Sequence, residues 1–516
     1  MAQQIIQHPT ASDLRTDASQ APVFDTQTNC WRIEKAERFS MVVDGADYFT
    51  ALRKVCMAAK HELLLIGWDF DFQIEMMPGQ SDSNGNAPDG MPNKLGKFFE
   101  ALVDHTPDLH IYVLKWNGAV LVAPGQVIPP LALTIFGHDH LHFALDGHHP
   151  FGACHHQKIV IADDGFAFCG GIDMTENRWD TSEHLPNDPR RVHKDGTPST
   201  PWHDVTTALT GPAASALAAL SRTRWYRATG EELEVPQTSD AAIWPEGLNV
   251  DAQNVEVAIS RTKPPYDGEL LINEIEHMFL DSIRSAKDVI YIESQYFTAQ
   301  TICDALEARL IEEGGPEIVV INPKVSLSSF EDDAMNGLRD RLIERLKGVD
   351  HEDRFRIYHP VTTAGEPIYI HAKIMIADTK ILNCGSSNLN DRSLGFDTEC
   401  NVAVSSPQSL IAEFRTRLIA EHLGVTAEVF EKCFAEKGSL IAVIEALNDP
   451  ESRGLRAIER RIENLRTGIL ADTRLMDPRY VPGQQASAGQ GIRPRHLAMA
   501  SGALLLGYLS WRILRK

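Results

Sequence analysis

The chain carries one short segment twice. Residues 155–171 read HHQKIVIADDGFAFCGG and residues 371–386 read HAKIMIADTKILNCGS. His156, Lys158 and Asp163 of the first copy are matched by His371, Lys373 and Asp378 of the second, 215 positions later, and six of the eight core positions are identical. In both copies six residues separate the aspartate from a pair of small residues, Gly170-Gly171 or Gly385-Ser386. Repetition over this distance argues for a duplicated structural unit, and it constrains the fold more than any other feature.

The surrounding text repeats too. YFTALRKVCMAAKHELLLIGWDF (within 44–70) and EIEHMFLDSIRSAKDVIYIESQYF (274–297) each show helical periodicity, then an Ala-Lys pair, then a short apolar run. LHIYVLKW (109–116) and EIVVINP (317–323) read as second strands. IVIA and IMIA are β-type runs, and Asp163-Asp164-Gly165 signals a turn into FAFCGG. The expected architecture is α/β: two tandem similar lobes, each a mixed β-sheet flanked by helices. The lobes are expected over 25–235 and 250–405, followed by a helical region over 406–475. On a strand, residues i and i+2 share a face, so His156 sides with Lys158 and His371 with Lys373, where each pair could meet one phosphate.

The ends read differently. Residues 1–24 lack a basic stretch followed by an apolar one and read as a disordered leader rather than a signal peptide. Residues 476–496 form a Pro/Gly/Gln-rich linker. Residues 497–511, LAMASGALLLGYLSW, are uncharged and mostly apolar, with Arg493 and Arg495 before them and Arg512, Arg515 and Lys516 after. A bilayer core of ~30 Å needs about 20 helical residues, so 497–514 is a short candidate membrane anchor. The rival is a terminal helix docked on protein. The eight cysteines show no CxxC spacing and read as buried free thiols of a reducing compartment. The body is therefore expected in the cytoplasm, anchored at the membrane or, alternatively, soluble. The formal net charge of −22, from 71 acidic and 49 basic residues, disfavours a nucleic-acid partner, which calls for a basic footprint.

The paired segments resemble the HxKxxxxD motifs of the phospholipase D superfamily, and both extend into its G-[GS]-x-[ND] tail, as Gly170-Gly171-Ile172-Asp173 and Gly385-Ser386-Ser387-Asn388. GGIDMTENRWD (170–180), PWHDV (201–205), YIESQYF (291–297) and GSSNLNDRSLGFDTE (385–399) are similar to the branch that includes the eukaryotic phospholipases D. The resemblance covers roughly residues 30–405. It implies one active site at the lobe interface, a phospholipid substrate met at a membrane surface, and a monomer with both motifs in one chain. Phospholipid cleavage to phosphatidic acid is the expected reaction, with head-group transfer to an alcohol a further possibility. A cardiolipin synthase-type phosphatidyltransferase is the alternative, and a nuclease of the superfamily fits less well.

The residue types suit that chemistry. An imidazole can attack phosphorus and form a phosphohistidine, which splits one difficult displacement into two easier ones. A second imidazole can protonate the leaving alcohol and then activate water. Lys158 and Lys373 would neutralise the equatorial oxygens. No metal or other cofactor is required. The resemblance makes His156 the nucleophile and His371 the acid, whereas sequence symmetry favours neither. Asp163 and Asp378, at i+7, lie too far along to reach the imidazoles and are expected to brace the hairpin. Each imidazole still needs an acid on its other nitrogen; the family pattern gives that role to Asp204 and Glu399. Gly171, Ser386 and Asn388 are expected at the phosphate, while Asp173, standing where Asn is usual, makes contact from that side doubtful.

Two other features bear on function. Seven histidines lie between 138 and 156, including HDHLH, and alternating histidines on a strand can bind zinc, although no carboxylate or thiol set accompanies them. The polar loop 181–200 lies between two motif pieces, where it would either shape substrate entry or be a disordered insertion.

Overall fold

A computed structural model describes residues 23–118, 138–236, 243–461, 465–474 and 476–479. The candidate anchor at 497–514 and residues 1–22 of the leader expected over 1–24 lie outside the described residues. Among the described residues no helix is long and apolar enough to cross a membrane.

The first lobe contributes strands β1 (Arg32–Val43), β2 (Glu62–Gly67), β3 (His110–Trp116), β4 (Leu141–Asp146), β5 (Ile159–Ala162), β6 (Phe166–Gly170), β7 (Trp202–His203) and β8 (Val205–Thr210). The second contributes β9 (Ala252–Lys263), β10 (Ile272–Asn273), β11 (Val289–Glu293), β12 (Glu317–Ile321), β13 (Phe355–Val361), β14 (Tyr369–Ile370), β15 (Ile374–Ala377), β16 (Ile381–Gly385), β17 (Glu399–Val404) and the late β18 (Gly454–Ala457). The order across the main sheet is β18-β13-β12-β11-β15-β16-β17-β9-β1-β8-β6-β5-β2-β3-β4. Apart from β18 this order is a palindrome: β1 corresponds to β9, β8 to β17, β6 to β16, β5 to β15, and β2, β3, β4 to β11, β12, β13. The lobes thus share one sheet, joined where β1 pairs antiparallel with β9.

The pairing is mixed. β2, β3 and β4 run parallel, as do β11, β12 and β13. The motif hairpins β5–β6 and β15–β16 join them antiparallel. The expected helix-then-strand units are present as helix Gly45–Ala58 before β2 and helix Glu274–Ser285 before β11. Side-chain alternation covers both faces, as buried sheets require. Leu63 and Leu65 of β2 pack with Phe49, Leu52 and Phe98 on one side. Leu64 and Ile66 join a core that continues into the second lobe through Tyr291, Ile376 and Phe414.

Three features depart from the sequence reading. The long joining strands β1 and β9 are not legible there, because the first seven residues of β1 are mostly charged and four of those charged residues are exposed. The largely helical region after residue 405 also contains β18, which adds to the outer edge of β13. His156, Lys158, His371 and Lys373 lie just before β5 and β15, in segments without regular secondary structure, rather than within the strands.

Candidate active site

Each motif segment is held at its start by the other lobe. The His156 N–H donates to the Thr398 carbonyl at 2.8 Å, and the His371 N–H donates to the His203 carbonyl at 2.8 Å. β14, just before His371, pairs parallel with β7 of the first lobe. Thr398 and His203 directly precede Glu399 and Asp204, so the same crossing carries each acid to the opposite lobe's histidine.

His371 Nδ1 lies 2.6 Å from Asp204 Oδ2. His156 Nδ1 lies 3.1 Å from both Glu399 oxygens and 3.0 Å from the Ser386 carbonyl. A carbonyl only accepts, so Nδ1 of His156 carries the proton and Nε2 is left for chemistry. Burial pushes Asp204 up to about 6 against the pull of Lys373, and it pushes Glu399 up to about 8. Burial and the two lysines hold both imidazoles well below their ordinary value. That Lys373 acts on His156, and Lys158 on His371, puts both sets in one electrostatic site.

The two lysines differ. Lys158 Nζ donates to the His156 carbonyl at 2.9 Å and pairs with Asp173 at 3.1 Å. Asp173 also accepts from the Trp68 N–H at 3.1 Å. Lys373 donates to the His371 carbonyl and faces the neutral Gln295 amide oxygen at 3.5 Å, to which Asn388 also donates at 3.4 Å. Burial holds Lys373 down at about 7, with Lys158 adding to the shift.

The small-residue pair is shaped by the acids. A Cβ on Gly171 would come 2.1 Å from Asp204 Oδ1. At the matching position the Ser386 hydroxyl donates to Glu399 at 2.5 Å. Asp163 and Asp378 do not reach the imidazoles. Asp163 accepts from the N–H groups of Lys60, His61 and Glu62, and Asp378 from those of Lys287, Asp288 and Val289, all at 2.8–2.9 Å. Each aspartate thus ties the helix-to-strand turn to its hairpin, at the Ala-Lys pairs noted in the sequence.

Other contributors lie in segments that carry the resemblance, Arg178 in GGIDMTENRWD, Trp202 in PWHDV and Gln295 in YIESQYF, without a spacing that marks them singly. Trp202 stacks on Tyr369, tilts against His371 and receives the Arg178 guanidinium at 4.3 Å. Gln295 follows the C-terminal end of β11, where open α/β sheets place ligands, and that position adds to the signal of its segment. Beside the first motif, Asp146 takes Arg224 at 2.7 Å and His155 at 2.9 Å, and Arg224 also donates to Gln157. The loop 181–200 is pinned rather than loose: buried Arg191 and His184 both bond Asp180. Among the described residues, the HDHLH histidines join no metal-type cluster with carboxylates or thiols; the clusters that exist surround His203.

Two family models match this chain: "Phospholipase D" over residues 145–303 and "Cardiolipin synthase, PLD-like domain" over 279–420. It is 25% identical to phospholipase D1 of Schizosaccharomyces pombe over 382 residues, covering 54% of this chain and 28% of that protein. It is 23% identical to phospholipase D alpha 1 of Vigna unguiculata over 409 residues, covering 55% of this chain and 50% of the relative. The match thus spans half or less of the length of these curated relatives. In fold it is similar to phosphatidylserine synthase of Haemophilus influenzae, with a TM-score of 0.51 and 13% identity, covering 74% of this chain and 85% of that one.

Proposed function

We propose that this chain, which belongs to the phospholipase D superfamily, is a phosphodiesterase that cleaves phospholipids to phosphatidic acid and a free head group through a phosphohistidine. The observation that carries the reading is the pair of imidazoles, each backed on Nδ1 by a carboxylate from the other lobe. His156 Nε2 attacks phosphorus and the P–O bond to the head group breaks. Its oxygen takes a proton from Nε2 of His371, whose imidazolium form the charge of the bound phosphodiester and Asp204 on Nδ1 favour. Water then gives a proton to His371 and attacks phosphorus, releasing His156 and the phosphatidic acid. Lys158, Lys373 and Asn388 hold the phosphoryl oxygens.

His156 takes the nucleophile's role because the Ser386 carbonyl and Glu399 together fix its tautomer. The second-lobe match to a cardiolipin synthase model supports transfer to a lipid alcohol as the second reading. Delivery to the bilayer belongs to residues 497–514, read from their composition alone.

The test is product analysis on defined phospholipids with and without added primary alcohol. Phosphatidic acid alone identifies a hydrolase, and a phosphatidyl-alcohol identifies transfer. Absence of either product from every phospholipid tried would overturn the reading. Acid quenching during turnover should trap phosphate on His156, and its appearance on His371 instead would reverse the two roles.

A further inference from the structure

Beside Asp204, four ligand-type side chains from four separate parts of the chain converge: Asp44 after β1, His184 in the 181–200 loop, His203 at the end of β7, and Glu421 in helix Gln408–Leu423. Their candidate donor atoms all lie within 4.8 Å of one another. We propose that these four residues form a closed, structural site for one divalent transition-metal ion, with Zn²⁺ the best fit.

Spacing is the first argument. His184 Nε2 lies 3.6 Å from Asp44 Oδ2 and 3.4 Å from Glu421 Oε1. His203 Nδ1 lies 3.1 Å from Asp44 Oδ1 and 3.2 Å from the same Glu421 oxygen. Four ligands at the usual ~2.0–2.1 Å from a tetrahedral zinc stand about 3.3 Å apart. Satisfaction is the second. Asp44 Oδ2, His184 Nε2, His203 Nδ1 and Glu421 Oε1 are all buried, and none has a hydrogen-bond partner. Buried polar atoms are rarely left so, and here four of them face one another.

The outer contacts are the third argument. His184 turns its other nitrogen, Nδ1, to Asp180 at 2.8 Å, and His203 turns Nε2 to Glu293 at 2.9 Å. A carboxylate on the far nitrogen is the usual outer partner of a metal-bound histidine, because it leaves the near nitrogen's lone pair aimed inward. Asp180 is itself held by Arg191 and the Trp202 N–H, and Glu293 by Tyr291 and His422. Glu293 and His422 already bond each other, so they read as outer partners rather than ligands. Two imidazoles with two carboxylates suit zinc better than calcium or magnesium, which favour six or more oxygens. With four protein ligands no coordination position is left for substrate, so the role is structural. The ion would also help position Asp204, whose N–H donates to Asp44 Oδ1 at 3.3 Å and whose carbonyl accepts the Asp44 N–H at 2.8 Å.

The test uses the full chain. Protein purified without chelator should carry about one transition-metal ion per chain by elemental analysis. Replacement by Co²⁺ should give the intense visible bands of a tetrahedral site. Prolonged chelation should lower Tm, and added Zn²⁺ should restore it. His184→Ala and Glu421→Gln should lose the metal, whereas the control His142→Ala should keep it. Should the replacements fail to fold, metal content and the cobalt spectrum of the unaltered protein still decide. If the unaltered protein, dialysed and then offered Zn²⁺ or Co²⁺, binds neither, the proposal is overturned and the cluster is a proton-bridged ion-pair network.

Discussion

His371 of the second lobe and Asp204 of the first meet at 2.6 Å, although 167 residues separate them. His156 and Glu399 repeat the relationship in the opposite direction across 243 residues. Each lobe therefore supplies one imidazole and the carboxylate that orients the other lobe's imidazole. Neither lobe holds a complete pair.

Asp204→Asn and Glu399→Gln should each lower kcat by about 10²–10⁴-fold, the range seen when an orienting carboxylate is neutralised. Circular dichroism should stay unchanged. Full activity in either folded variant would show that the crossed pairs do not orient the imidazoles.

Gly171→Ala should be far more damaging than Ser386→Ala. The new methyl would press on Asp204 Oδ1 at 2.1 Å in a packed interior and should cost about 1–3 kcal/mol as well as most activity. Losing the Ser386 hydroxyl removes one hydrogen bond to Glu399, about 1 kcal/mol. Thermal melts and rates on the two variants check the order.

The acid limb of kcat/KM should report the proton shared by His156 and Glu399. Glu399 must be a carboxylate to accept the His156 Nδ1–H and stabilise positive charge on the ring as Nε2 attacks, so the rate rises with pH through the pair's apparent pKa. Burial holds Glu399 up at about 8, and the Ser386 hydroxyl pulls it down by favouring the carboxylate. Ser386→Ala should therefore move the acid limb to higher pH. A pH–rate profile with an unmoved or lowered limb would contradict this assignment.

Binding of a phosphate anion should take up protons. Burial and Lys158 hold Lys373 near 7, so at pH 8 it is largely neutral. An anion beside it restores the charged form. Calorimetry in buffers of different ionisation heat should show uptake at pH 8 and less at pH 6.

Asp163→Ala and Asp378→Ala should destabilise without disabling chemistry. Each leaves three backbone N–H groups without their carboxylate, a loss of about 2–4 kcal/mol. Activity per folded molecule, measured well below Tm, should stay within a few-fold of the parent. A loss of several hundred-fold at full foldedness would give these aspartates a direct part in the site.

The repeated motif, the helix-then-strand units and the α/β class were legible in the sequence because they rest on local signals. Hydrophobic periodicity, turn residues and fixed spacing all act within about twenty positions. The membership of Asp204 and Glu399 was legible through resemblance, but not which histidine each would serve. Two symmetric lobes make the local and the crossed pairing equivalent in sequence. Gln295, Trp202 and Arg178 lie in segments that carry the resemblance, but no periodicity or spacing marks them singly within those segments.

The sequence by itself determined that there would be two lobes, two imidazoles and two lysines, because covalent order and side-chain pattern carry that information directly. Only the tertiary structure decided the crossed partners, the gathering of Asp44, His184, His203 and Glu421, and the pairing of Lys158 with Asp173. The physical reason is that β1 pairs with β9 and β7 with β14. Those hydrogen-bonded contacts between distant segments set which side chains share a buried space, and nothing in the neighbouring residues encodes that choice.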